Sequence, residues 1–121
     1  MTELWAATVT SVGVDAQEMR DAGVIILFGD PVPPALAEVS IVHAGGSAPS
    51  RAISAGDTFT IDDSVVQVTA VGEIANENLS ELGHIVVYLN PAEDKILPGA
   101  VHAIGELTIP QAGSVLKFMG D

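Results

Sequence analysis

The stretch from Val65 to Leu89 constrains the fold most, because its periodicity changes twice within 25 residues. Val66, Val68 and Ala70 alternate with Gln67 and Thr69, the two-residue period of a half-buried strand. Ile85 to Leu89 is β-branched, aromatic and uncharged, which predicts a more fully buried strand. Between them the alternation is lost. Asn76 and Asn78 are cap residues, Leu79 and Leu82 stand three apart, and Gly83 suits a helix C-terminus. The segment therefore predicts strand, one or two helical turns, then strand, with the two strands as the first walls of the core.

Elsewhere short apolar runs alternate with Gly, Pro and Asp turns. Strands are expected at Leu4–Val14, Gly23–Gly29, Val39–His43, Thr58–Ile61, Ala100–Leu107 and Ser114–Met119. Asp62-Asp63-Ser64 joins Thr58–Ile61 to Val65 as a hairpin. Ala35 to Glu38 allows a turn of helix, whereas Asp15 to Gly23 is polar and loop-like and allows a short helix only without an apolar stripe. The Ala-Gly pairs before Thr58 and before Ser114 are two copies of a common turn, and no solenoid repeat follows from them. About seven or eight short strands with one or two helical turns predict an all-β fold, a closed β-barrel or sandwich. The length fits a single domain over residues 1–121.

Composition then removes whole classes of function. Hydrophobic residues make up 48% but only five residues are aromatic, so Val, Ile, Leu and Ala must fill most of the core. Cysteine is absent, which excludes a disulfide frame, a zinc–thiolate site and a thiol nucleophile. The first cation is Arg20, so the N-terminus lacks the basic region of a signal peptide. The longest uncharged run is 12 residues, too short for a membrane span. A soluble, cytoplasmic protein is expected. The formal charge of −12 disfavours nucleic acid and anionic lipid, and would attract a basic patch on a protein partner.

The sequence has no Gly-rich phosphate loop, no Gly-x-Ser-x-Gly elbow and no His-Glu-x-x-His pattern. Attention therefore falls on His43, His84 and His102. His43 ends an apolar strand before Ala44-Gly45-Gly46, where backbone N–H groups can approach an anion. A neutral imidazole offers one nitrogen lone pair as nucleophile when the other nitrogen is held as N–H. A half-buried histidine capping a strand fits the same residues. His84, after Gly83, and His102, within Ala100–Leu107, suit either a hydrogen-bonded core histidine or a partner of His43. Separations of 41 and 18 residues give no metal-ligand spacing. Arg51 is the guanidinium better placed to meet a phosphate, with Gly45 and Gly46 as further donors, although an ordinary surface arginine fits the same residue.

The strings from Val68 to Leu89, from Leu97 to Gly105 and from Ala112 to Phe118 closely resemble one family. It is the glucitol/sorbitol-specific enzyme IIA component of the bacterial sugar phosphotransferase system (PTS). The resemblance implies a β-barrel-like fold and assigns the phosphoryl-carrying role to His43 in Ile41-Val42-His43. It further implies a phosphoryl donor, the general carrier HPr, and an acceptor, the IIB/IIC component of a membrane polyol transporter, with no metal or other cofactor. Some relatives carry a second histidine where Gly45 stands, so a supporting imidazole here must come from His84 or His102. Two other readings remain open on the residues: a regulatory or binding module on the same fold, and a histidine-metal enzyme.

Overall fold

The computed structural model describes residues 2–44, 49–93 and 95–121. Eight strands and three short helices run in the order β1 (Thr2–Val12), α1 (Ala16–Asp21), β2 (Val24–Gly29), α2 (Pro34–Ala37), β3 (Ile41–Ala44), β4 (Thr58–Ile61), β5 (Ser64–Val71), α3 (Ala75–Leu82), β6 (Ile85–Leu89), β7 (Ala100–Ile104) and β8 (Val115–Gly120). The strands close into one barrel in the order β1-β3-β2-β6-β7-β5-β4-β8. Closure removes the unpaired edges that an open sheet would present. No helix is long and apolar enough to cross a membrane.

The period-two signal places the side chains. Val66 and Val68 of β5 point inward while Val65 and Gln67 face out, and Leu116 and Phe118 of β8 do the same. Phe59 and Phe118 pack with ring centroids 4.8 Å apart, and Trp5 lies 5.8 Å from Phe118. These three rings plug the interior, and β-branched residues such as Ile25, Val66 and Val87 fill the rest. The other two aromatics, Phe28 and Tyr88, face outward.

One expectation changes: Asn76 and Asn78 do not cap α3, because Ile74 stands at the N-cap and the Asn76 side chain bonds to the Ile53 backbone from inside the helix. The short helix that Asp15–Gly23 allows forms as α1 and buries only Ala16. β7 enters between β5 and β6 and pairs with both.

That insertion belongs to a duplication. The β1-α1-β2-β3 unit and the β5-α3-β6-β7 unit are built alike. In each, the last strand pairs antiparallel with the first and parallel with the second. The antiparallel registers match, Val9↔His43 corresponding to Val68↔Ala103, with a bulge after Val9 and after Val68. The helix entrances match too. Gly13 N–H bonds to Ser40 O at 2.9 Å and Gly72 N–H to Ala100 O at 2.8 Å. A Cβ on Gly13 would overlap the Ala37 and Glu38 carbonyl oxygens, and one on Gly72 those of Leu97 and Pro98. Glycine is required at both because backbone packs directly on backbone.

We predict that Gly13→Ala and Gly72→Ala each destabilise the barrel by about 1–3 kcal/mol, the usual cost of an overpacked site. Urea unfolding measures this, and an unchanged midpoint for both variants would contradict the duplicated entrance.

Candidate functional site

His43 lies near the end of β3, paired with Val9 of β1 on one side and Gly29 of β2 on the other. Its imidazole is only 2% exposed. One ring nitrogen, Nε2, lies 2.6 Å from the Gly83 carbonyl oxygen. A carbonyl only accepts, so Nε2 carries the proton and donates it. The other nitrogen, Nδ1, is buried and has no hydrogen-bond partner among the described residues. Trp5 meets the imidazole edge to face, with centroids 5.2 Å apart and planes at 88°.

Two glycines make this contact possible. Gly83 ends α3 in the left-handed region at φ +72, and its N–H returns to Leu79 O. A Cβ there would stand 3.0 Å from His43 Cε1, and one on Gly29 would stand 2.8 Å from the Leu82 carbonyl oxygen. Without side chains at both positions, the Leu82–Gly83 backbone lies against β2 and the imidazole together.

His84 follows directly. It stacks on Phe28 with centroids 3.6 Å apart, and its ring lies near the Gly29 backbone. It makes no hydrogen bond to His43; it is tied to the site through Gly83 and Gly29. Burial lowers its pKa, the neighbouring His43 lowers it further, and the Gly29 backbone opposes both. Burial likewise depresses His43, against the Gly83 bond and the more distant Asp30 charge, which raise it. The imidazole is thus held neutral, with one lone pair and one anchored proton.

The remaining candidates lie elsewhere. His102 is on β7, three strand spacings from β3 in the barrel order, about 14 Å along the sheet. It packs edge-on against Tyr88, with centroids 6.0 Å apart. Arg51 does not reach toward His43. It forms a fork on Asp57, at 2.9 and 2.8 Å, and bonds to the Ala52 and Asp121 carbonyls. That fork is the main reason the Asp57 carboxyl is held below its usual range. Arg51 therefore ties β8 and the chain end to the 51–57 segment. Gly45 and Gly46, expected as anion donors, lie outside the described residues.

The duplicated unit shows what is specific to this end. Asp30 N–H bonds to the His43 carbonyl at 2.9 Å, as Asn90 N–H bonds to that of Ala103 at 2.7 Å. His43 therefore occupies the position that Ala103 fills in the other half. The residues sequence reasoning missed are Trp5, Phe28 and Gly29. Gly29 carried a readable signal, since Phe28-Gly29-Asp30-Pro31 parallels Tyr88-Leu89-Asn90-Pro91 with the proline identical and Phe/Tyr and Asp/Asn similar, and only the glycine beside the imidazole breaks the likeness.

Fold and site define a closed β-barrel organised around a buried, backbone-anchored histidine. The model of the family "PTS system glucitol/sorbitol-specific IIA component" matches residues 4–117, and the chain belongs to that family. Similar curated proteins are the PTS system glucitol/sorbitol-specific EIIA components of Shigella flexneri and of Escherichia coli (strain K12). Each is 34% identical over 119 residues, covering 98% of this chain and 96% of the relative. Among solved structures, a PTS system IIA component from Enterococcus faecalis V583 superposes with a TM-score of 0.85, covering 95% of this chain and 99% of that one. At 24% identity it shows the fold alone. PTS IIA components are phosphotransfer proteins, and membership of the family is consistent with a phosphotransferase role.

Because burial opposes charging, we predict that His43 takes up its proton below the ordinary value of 6.5. A group whose folded pKa is depressed binds fewer protons folded than unfolded. Its contribution to stability is complete above 6.5 and is lost as pH falls below it. A ring-resolved NMR titration measures the midpoint, and a value above 6.5 would contradict the desolvated site.

Proposed function

We propose that this protein accepts a phosphoryl group on His43 from phospho-HPr and passes it to the IIB component of a glucitol/sorbitol transporter, working in the cytoplasm. The observation that carries the reading is the 2.6 Å bond from His43 Nε2 to the Gly83 carbonyl. A neutral imidazole fixed through one nitrogen is prepared to attack phosphorus with the other. Phosphoryl transfer has a loose transition state, so positioning and charge stabilisation matter more than acid–base work. Both are available here. The ring is pinned between two glycines and Trp5, and positive charge developing on the imidazole strengthens the bond to Gly83 O.

His84 supports the reading as a positioning residue. Its stack on Phe28, with its ring near Gly29, holds the backbone that presents the Gly83 carbonyl. The histidine-metal alternative finds no support in donor geometry, since no three His, Cys, Asp or Glu side chains converge among the described residues.

The charge of −12 shapes the encounter. Free phosphate is repelled, whereas a phosphoryl group delivered on a basic protein surface is drawn in, at a rate that salt screens.

His43→Ala is predicted to abolish acid-labile labelling by phospho-HPr while leaving the barrel folded, as judged by circular dichroism. Full labelling of that variant would overturn the assignment. For the wild type, the transfer rate from phospho-HPr should fall severalfold as salt rises from about 20 mM to about 500 mM. A rate independent of salt, at matched viscosity, would make the acidic surface a solubility device only.

A further inference from the structure

The carrier reading leaves open which nitrogen bears the phosphoryl group and what receives its oxygens. Two buried atoms without hydrogen-bond partners lie at this site, His43 Nδ1 and Trp5 Nε1. One is a lone pair, because the proton is on Nε2, and the other is an N–H donor that cannot be anything else. They belong to rings in edge-to-face contact, with centroids 5.2 Å apart. An unsatisfied buried polar group forfeits its hydration without replacement, so two on touching rings call for a reason. The third such atom among the described residues, Arg20 Nε, belongs to a guanidinium held by Leu107 O and Asp21.

We propose, building on the carrier reading, that the phosphoryl group is carried on His43 Nδ1 and that the Trp5 indole N–H donates to one of its oxygens. The step balances without a base. The Nδ1 lone pair forms the new P–N bond while the P–N bond of the donor phosphohistidine breaks, and the donor nitrogen keeps that electron pair. The Nε2 proton stays where it is. The phosphorylated ring is then cationic, and its Nε2–H bond to Gly83 O becomes charge-assisted. A protonated phosphoimidazole is a good leaving group, which suits a carrier that must give the phosphoryl group up again.

Enclosure of Nδ1 sets a condition. The lone pair can meet phosphorus only when that edge of the ring has been uncovered, so transfer is coupled to docking of the partner.

Trp5 is the only tryptophan in the chain, so its indole gives a single N–H resonance. The test uses the full-length protein labelled with ¹⁵N, phosphorylated by catalytic phospho-HPr and observed by long-range ¹H–¹⁵N and ³¹P NMR. Phosphorus bonded to Nδ1, with a downfield shift of the indole N–H, is the expected result. Trp5→Phe, which keeps an aromatic ring and removes the N–H, should lower the phosphorylation equilibrium with HPr about tenfold. It should leave the phosphoryl group on the same nitrogen. Phosphorus on Nε2 would overturn this inference while leaving the carrier reading intact, as would an indole resonance and an equilibrium unmoved by phosphorylation and by Trp5→Phe respectively. A protein that takes no label would overturn both. Should Trp5→Phe fail to fold, the wild-type spectrum alone decides the regiochemistry and the indole contact.

Discussion

The register of β1 is the constraint on which the rest depends. Residues 2–8 of this strand pair with β8 and residues 8–12 with β3, so one strand closes the barrel. It also builds the site, because Val9 sits opposite His43 and Trp5 packs on its ring. Strand side chains alternate, and a slip of one residue would turn Trp5, Ala7 and Val9 out of the barrel. Two devices hold the register. Bulges between Glu3 and Trp5 and between Val9 and Ser11 adjust the strand to two neighbours. The Trp5, Phe118 and Phe59 rings lock the interior at the β8 side.

On that frame the site is an exercise in backbone chemistry. No cation stands among the contacts described around His43, and the nearby acid, Asp30, accepts a hydrogen bond from Thr10 Oγ1 at 3.3 Å. What the fold supplies is a carbonyl aimed at one imidazole nitrogen. It is aimed there because α3 ends in a left-handed glycine and because Gly29 leaves room for the turn. The duplicated half has the same scaffold with Ala103 in place of His43. The buried imidazole therefore distinguishes one half of the scaffold from the other.

Much of this was legible in the residues. The alternation in β5, Gly83 at the end of α3 and the apolar run of β6 were legible within a residue or two, because each is a local signal. The caps were not, since Ile74 stands at the N-cap and Asn76, inside the helix, turns its side chain to the Ile53 backbone. Strand order was not, since the parallel pairing of β6 with β7 joins segments with no local mark of their partnership. The duplication escaped for a related reason. Val12-Gly13 with Val71-Gly72 and Gly23 with Gly83 are few and common residues, and they gain meaning only when the registers are seen to match. His43 stood out through its strand-end position and the family resemblance. Arg51 stands out as a phosphate candidate because charge is visible in a sequence, whereas its fork on Asp57 is not. Trp5 was invisible as a site residue, since nothing in an N-terminal strand states which ring it will meet.

The account centres on a neutral His43 pinned by its Nε2 proton to a backbone carbonyl. The tautomer of that ring in the unphosphorylated protein tests it most directly. A long-range ¹H–¹⁵N spectrum at a pH well above the ordinary histidine value distinguishes the two ring nitrogens. The account predicts a protonated Nε2 and a bare Nδ1 for His43, with the Nε2 proton persisting in slow exchange. A proton on Nδ1, or a ring averaging rapidly between tautomers, would contradict it.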